Sequence, residues 1–377
     1  MGIEPDTMFS PKNQYSEDTM PNTLQLNHKM KRQLCQWLPG ERRTRMENMT
    51  LLLTGLYCSG QVHLSKIVRH WPLPGKQPSL THRLWRFLNN PRLRVRSWYR
   101  PVVAEILARV PAGPLYLIID SPKVGFDYRL VTIGLAFKKR TLPLCWHVRH
   151  GRKGHTSGAE QLQLFQQLYP LVPKKREIWV LGDTEFQSVA LLTWLRRQGW
   201  PFVIRQQGKN KVAWAGQPGL KINALALAEG QTRLLGWVRL TTRHDVGWFW
   251  LVLRWKCGEE EPWYLVCDRP LAPQAVLRIY RKRMWVEERY GDLKGHGFDL
   301  ETTHLKNAQR IARLFLAVSL VFVWLISLGS WVVKRGYRHY VDHRSRRDKS
   351  YFRIGWDWVE RCRSLERPIS VRIAPCF

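Results

Sequence analysis

Residues 279–295 read IYRKRMWVEERYGDLKG, and the fold turns on how this stretch is wound. As an α-helix at about 100° per residue, it sets Tyr280, Arg283, Glu287 and Lys294 on one face within an arc of about 60°. Ile279, Val286 and Leu293 form an adjoining apolar stripe that would seat the helix on a core. One acid, two cations and a phenol then project from a packed helix, as needed to hold a metal-binding carboxylate beside phosphate-gripping side chains. A solvated charged face gives the same spacing, so the rest of the chain has to choose between the two.

The charge balance favours the first reading. The 377 residues hold 61 Lys and Arg against 29 Asp and Glu, a formal +32. Such a field attracts a polyanion, nucleic acid first and a membrane surface second. The 19 Trp serve either as core and rim packing or as platforms for unpaired bases. The seven Cys form no C-x-x-C pair, which argues against a zinc ribbon and a disulfide scaffold and fits a reducing compartment. The first twenty residues lack the apolar core of a signal peptide.

Leu314–Val333, LFLAVSLVFVWLISLGSWVV, carries no charge. Its length would span a bilayer, and a membrane-associated protein with one span and a basic tail is one reading. The other is a buried core helix whose Ser319, Ser327 and Ser330 bond back along the helix. Burial is preferred, because there is one such segment and it closely follows the charged helix.

The chain divides by pattern. Residues 1–29 read as a polar, disordered tail. Residues 30–110 carry helical periodicity and a basic load (His82, Arg83, Arg86, Arg92, Arg94, Arg96), expected as a helical DNA-binding domain. From 111 to 205 strands and helices alternate, the mark of an α/β sheet. The run LYLIID ends on Asp120, and IWVLGD ends on Asp183. YRLVTIGLAF and LPLCWHVRH read as strands joined by a KKRT turn. Residues 206–271 read as an all-β insertion. Residues 272–335 resume the core, and 336–377 form a basic, aromatic tail.

Asp120, Asp183 and Glu287 thus stand out. Two divalent ions about 4 Å apart activate water and stabilise the leaving oxygen of a phosphodiester. Carboxylates are the oxygen ligands that hard Mg²⁺ takes. Two acids at strand ends and one on a helix would converge on such a pair.

With these residues in place, Tyr280-x2-Arg283-x3-Glu287-x6-Lys294 resembles the Tyr-Arg-Glu-Lys signature of DDE transposases of the insertion-sequence-four family. The similarity covers roughly residues 31–333. Asp120 matches the family's first catalytic Asp, LGDTEF places the second on Asp183, and EPWYLVCDRP resembles its Trp-containing strand. The resemblance implies an α/β, RNase H-like catalytic core interrupted by the β insertion. Asp120, Asp183 and Glu287 would hold two Mg²⁺ or Mn²⁺ ions. Tyr280, Arg283 and Lys294 would grip phosphates, and Trp263 would stack on a flipped base. The implied protein is a cytoplasmic, nucleoid-associated homodimer that binds double-stranded DNA, its terminal inverted repeats and its target, and performs cut-and-paste transposition through a hairpin. Two departures stand out. Ser121-Pro122-Lys123 follows Asp120 where many relatives place a Thr two residues on, and Thr184-Glu185-Phe186 follows Asp183 where a basic residue is frequent. They motivate the alternative of a catalytically decayed, domesticated DNA-binding copy.

Overall fold

Two apolar runs, β1 (Leu115–Asp120) and β5 (Ile178–Gly182), lie side by side and parallel at the heart of the molecule. The computed structural model describes residues 22–151, 154, 156–214, 219–240, 246–295 and 297–377. Both strands are almost wholly buried, as expected for apolar strands covered on both faces. β3 (Tyr128–Phe137) pairs antiparallel with β1, and β4 (Arg140–His150) with β3. Their turn places Lys138 and Lys139 at φ 46° and 62°, the left-handed backbone that a two-residue hairpin turn demands. β6 (Phe202–Arg205) continues the parallel part beyond β5.

The strands of 206–271 do not form a separate sheet. β11 (Trp263–Cys267) pairs with β6, and β10 (Trp248–Arg254), β9 (Thr232–Leu240), β7 (Lys211–Ala213) and β8 (Leu220–Lys221) follow outward. With β2 (Lys123–Val124) at the other edge, one sheet of eleven strands runs through the described residues. The inserted β residues therefore extend the core sheet.

Five helices occupy 22–109: α1 (Asn22–Trp37), α2 (Arg43–Ser59), α3 (Leu64–Val68), α4 (Gln77–Asn89) and α5 (Val95–Arg109). The tail expected through residue 29 ends sooner. α1 starts at Asn22 and buries Leu26, Met30 and Leu34, an apolar i, i+4, i+8 stripe hidden among polar neighbours. Residues 1–21 lie outside the described residues.

Two helices flank the rest of the sheet, α6 (Gly158–Leu168) and α7 (Val189–Arg197). α10 (Ala308–Lys334) is the axis of the molecule. Its most apolar 18-residue window is wholly buried in protein, and Ser327 Oγ donates to Val323 O at 2.6 Å. The uncharged stretch is a core helix here.

The expected C-terminal tail is also corrected. α11 (Tyr351–Ser364) lies against α10, burying Phe352, Ile354, Val359 and Cys362. The helices touch through glycines: a Cβ at Gly329 would lie 1.8 Å from the Tyr351 carbonyl oxygen, and one at Gly355 1.9 Å from that of Leu325. The terminal Phe377 ring meets Phe137 edge-on at 4.7 Å. Counting charge alone hides the apolar face that docks this segment.

Candidate active site

The β1–β5 register pairs Leu117 with Val180 and Ile118 with Leu181. Continued along both strands, it brings Asp120 level with Asp183 at the same end of the sheet, where ligands of open α/β sheets bind. Gly182 permits the approach, since a Cβ there would lie 3.0 Å from Phe186 Cβ and 3.2 Å from Ile119 Cγ2. Asp183 caps a 3-10 turn (Thr184–Phe186), accepting from the Glu185 N–H at 2.9 Å. Glu185 turns to Thr156, accepting from its backbone N–H at 3.2 Å.

The decisive stretch is not one helix. α8 (Pro273–Tyr280) gives way to a 3-10 turn at Arg281–Met284, and α9 (Trp285–Leu293) follows. The tighter winding of a 3-10 turn breaks the single face expected over 280–294. Ile279, Val286 and Leu293 are nevertheless buried as the apolar stripe requires. Lys294 lies past the end of α9, its Nζ 2.7 Å from Glu301 Oε1, and does not join the other three around the cleft.

Arg283 is the meeting point. Its Nη2 donates to Asp120 Oδ1 at 3.0 Å and to Asp183 Oδ2 at 3.1 Å, while Nη1 donates to Glu287. Three acids from two strand ends and one helix thus share a single guanidinium. Burial pushes the Asp120 carboxyl up to about 6, with Arg283 pulling it down and Asp183 adding to the rise. Burial alone would lower the Arg283 pKa, but the acids around it, Asp120 foremost, hold it above the ordinary value. Among the described residues no group of three acid, His or Cys side chains is spaced as a ready-made metal site, because the carboxylates point at Arg283 instead. As donors, three carboxylates suit a hard divalent ion, and Arg283 marks where they accept positive charge.

A polar cleft of about 310 Å³ opens on this cluster, lined by Asp183, Arg205, Trp263, Tyr280, Arg283 and Glu287 among others. Tyr280 is buried, and burial raises its phenol pKa. Trp263 is half-buried and meets the Tyr280 ring edge-on at 5.2 Å.

Sequence reasoning missed the support beneath the acids. Arg289 is fully buried, donating through Nη2 to Thr132 Oγ1 at 2.8 Å and to the Tyr290 hydroxyl. Thr132 is the cross-strand partner of Asp120. Arg140 grips Asp292 at 2.6 Å, fastening α9 to β4. Arg205, at the end of β6 and inside the cleft, was also overlooked; it bonds Glu261 at 3.2 Å. The apolar VI before Arg205 and the position of Arg289 two residues past Glu287 were the available signals. Of the basic stretch HVRHGRKGHTSG (147–158), residues 152, 153 and 155 lie outside the described residues.

A carboxylate cluster at the carboxyl ends of parallel strands, with a half-buried arginine in its midst, defines an acid-centred site on an α/β sheet. Residues 127–324 match the family model described as a transposase DDE domain. That span exceeds half of the chain, and the protein belongs to the DDE transposase domain family. Asp183 and Glu287 fall inside the matched span, and Asp120 lies seven residues before it. Among solved structures, the chain is similar to a piggyBac transposase in a cryo-EM synaptic complex with hairpin DNA, at 12% identity and a TM-score of 0.43, covering 90% of this chain and 78% of that one. No curated protein matches.

Proposed function

We propose that this transposase is a metal-dependent DDE enzyme of the insertion-sequence-four kind, with an RNase H-like core, that cuts and joins the DNA ends of its own mobile element. The observation that carries the reading is the convergence of Asp120, Asp183 and Glu287 on one guanidinium. In the working state these three carboxylates would hold two Mg²⁺ or Mn²⁺ ions, which would supply Lewis-acid charge to the phosphodiester and its attacking water.

The chain's own residues do the rest. Arg283 leaves the acids and turns its planar fork to a phosphate near the scissile bond. The Tyr280 hydroxyl, with its proton held by burial, donates to a phosphate oxygen. Trp263 offers its ring to an extruded base of a hairpin intermediate. Lys294 exchanges Glu301 for a phosphate. The partners are double-stranded terminal repeats and target DNA, and a homodimer acts on paired ends in the cytoplasm, at the nucleoid.

The test is cleavage of a duplex ending in the element's own inverted repeats, with Mg²⁺. Wild type should nick the ends. Asp120→Ala, Asp183→Ala and Glu287→Ala should each lose about a thousandfold or more in rate while binding DNA normally, since the +32 field supplies most of the non-specific grip. Intact cleavage in any of the three ends the assignment. Tight, salt-sensitive binding by wild type with no metal-dependent nicking would favour a decayed copy, as the Ser121-Pro122 and Thr184-Glu185 departures allow.

A further inference from the structure

The C-terminal segment carries a surface that the acid site does not use. After α10, a 3-10 turn (Tyr337–Tyr340) lays its rings over α11. Tyr337 stacks on Trp358 with planes 7° apart and centroids at 5.7 Å, and Trp331 of α10 supports it edge-on from below. Tyr340 continues the series beside Trp358, with the His339 ring 4.0 Å and the Arg361 guanidinium 5.2 Å from its ring centroid. Tyr337 and Tyr340 remain 40% and 49% exposed.

The surroundings are cationic. Between residues 334 and 361 eight Lys or Arg are exposed against one exposed acid, Asp348. The four acids present already have partners: Asp342 holds Arg338, Asp348 lies by Arg346, Asp357 holds Lys349 and Arg353, and Glu360 holds Arg363. Among the described residues, Arg335, Arg344 and Arg347 pair with no carboxylate. The ladder stands on the close glycine contact between α10 and α11. Rings already held in place lose little entropy on binding.

We infer that this ladder is a second DNA-binding surface, apart from the acid cluster, which stacks unpaired bases on Tyr337 and Tyr340 and takes phosphates on Arg335, Arg344 and Arg347. Half-exposed aromatic rings beside unpaired cations are the chemistry that single strands recognise. The choice of DNA as ligand rests on the transposase reading, yet the surface is testable without cleavage.

The experiment is fluorescence anisotropy of the full chain with a labelled oligothymidine and with a duplex of arbitrary sequence, in EDTA. Tyr337→Ala with Tyr340→Ala should weaken oligothymidine binding about tenfold, near 1.4 kcal/mol, and duplex binding less than twofold. Tyr340→Phe should bind as wild type, because the ring and not the hydroxyl stacks. Neutralising Arg335, Arg344 and Arg347 to Gln should lower the salt slope of log affinity by about 2. Unchanged oligothymidine affinity in the double Tyr variant, with wild-type melting, overturns the proposal. So does unchanged affinity joined to a shift in sedimentation, which would give the surface to a second copy. Protein that binds oligothymidine through these rings but cleaves nothing would sink the nuclease reading and leave this one standing.

Discussion

α10 and the α8–α9 segment are neighbours in the chain, and both carry helical periodicity, yet they are built to opposite ends. α10 runs unbroken for 27 residues with its apolar window buried. The other breaks into α8, a 3-10 turn and α9 within 21 residues. A helix surrounded by core on every side gains from regular winding, since each residue finds packing wherever it points. A segment that must aim Arg283 and Glu287 at two strand ends gains from a local change of twist. Its regularity yields where polar side chains have one place to go, and the surrounding core holds the distortion.

The largest expected effect lies on the structural side. Gly355→Leu forces a side chain into the Leu325 carbonyl, a backbone atom that cannot step aside. We expect a loss of about 4 kcal/mol or more, read as a shifted denaturant midpoint or as failure to fold. An unchanged midpoint would mean that α11 does not need α10.

The functional side responds to charge more than to volume. Burial lifts the Asp120 carboxyl from 3.8 to about 6, so its ionisation opposes folding. That cost is absent below about pH 4, grows as pH rises, and is complete above 6. Arg283→Met removes the cation that offsets it. The variant should be about 3 kcal/mol less stable than wild type at pH 8, and the gap should close towards pH 4. Millimolar Mg²⁺ at pH 8 should close it as well. A gap equal at both pH values would show that Arg283 acts through packing and not through neutralisation.

How much of this was legible in the sequence follows the same division. Asp120 and Asp183 could be read because each ends a short apolar run, and a strand pattern of period two fixes where such a run stops. The KKRT hairpin and the burial of 314–333 were equally open to reading, since both depend on local composition. The break at Arg281–Met284 was hidden, because no Pro or Gly marks it in the sequence and the residues on either side keep helical apolar spacing. Arg289 was hidden for a different reason. Nothing local separates a buried arginine from a solvated one, and its burial depends on Thr132, more than 150 residues away. The docked C-terminus was masked by its charge, although Phe352, Val359 and Cys362 carry the helical interval that could have revealed it.

The smallest expected effect tests whether Lys294 belongs with the cleft or with the surface. Its side chain and that of Glu301 are both more than a third exposed, and an ion pair so open to water contributes less than about 1 kcal/mol. Lys294→Ala should therefore leave the melting temperature within a degree or two of wild type and slow end cleavage less than Arg283→Ala does. Glu301→Gln separates the alternatives further. It frees Lys294 without removing it, so a lysine that takes a phosphate during the reaction should give higher affinity for terminal-repeat DNA in Glu301→Gln and lower affinity in Lys294→Ala. If both variants bind as wild type, the fourth position of the signature works here as an end to α9, and the functional part of that segment stops at Glu287.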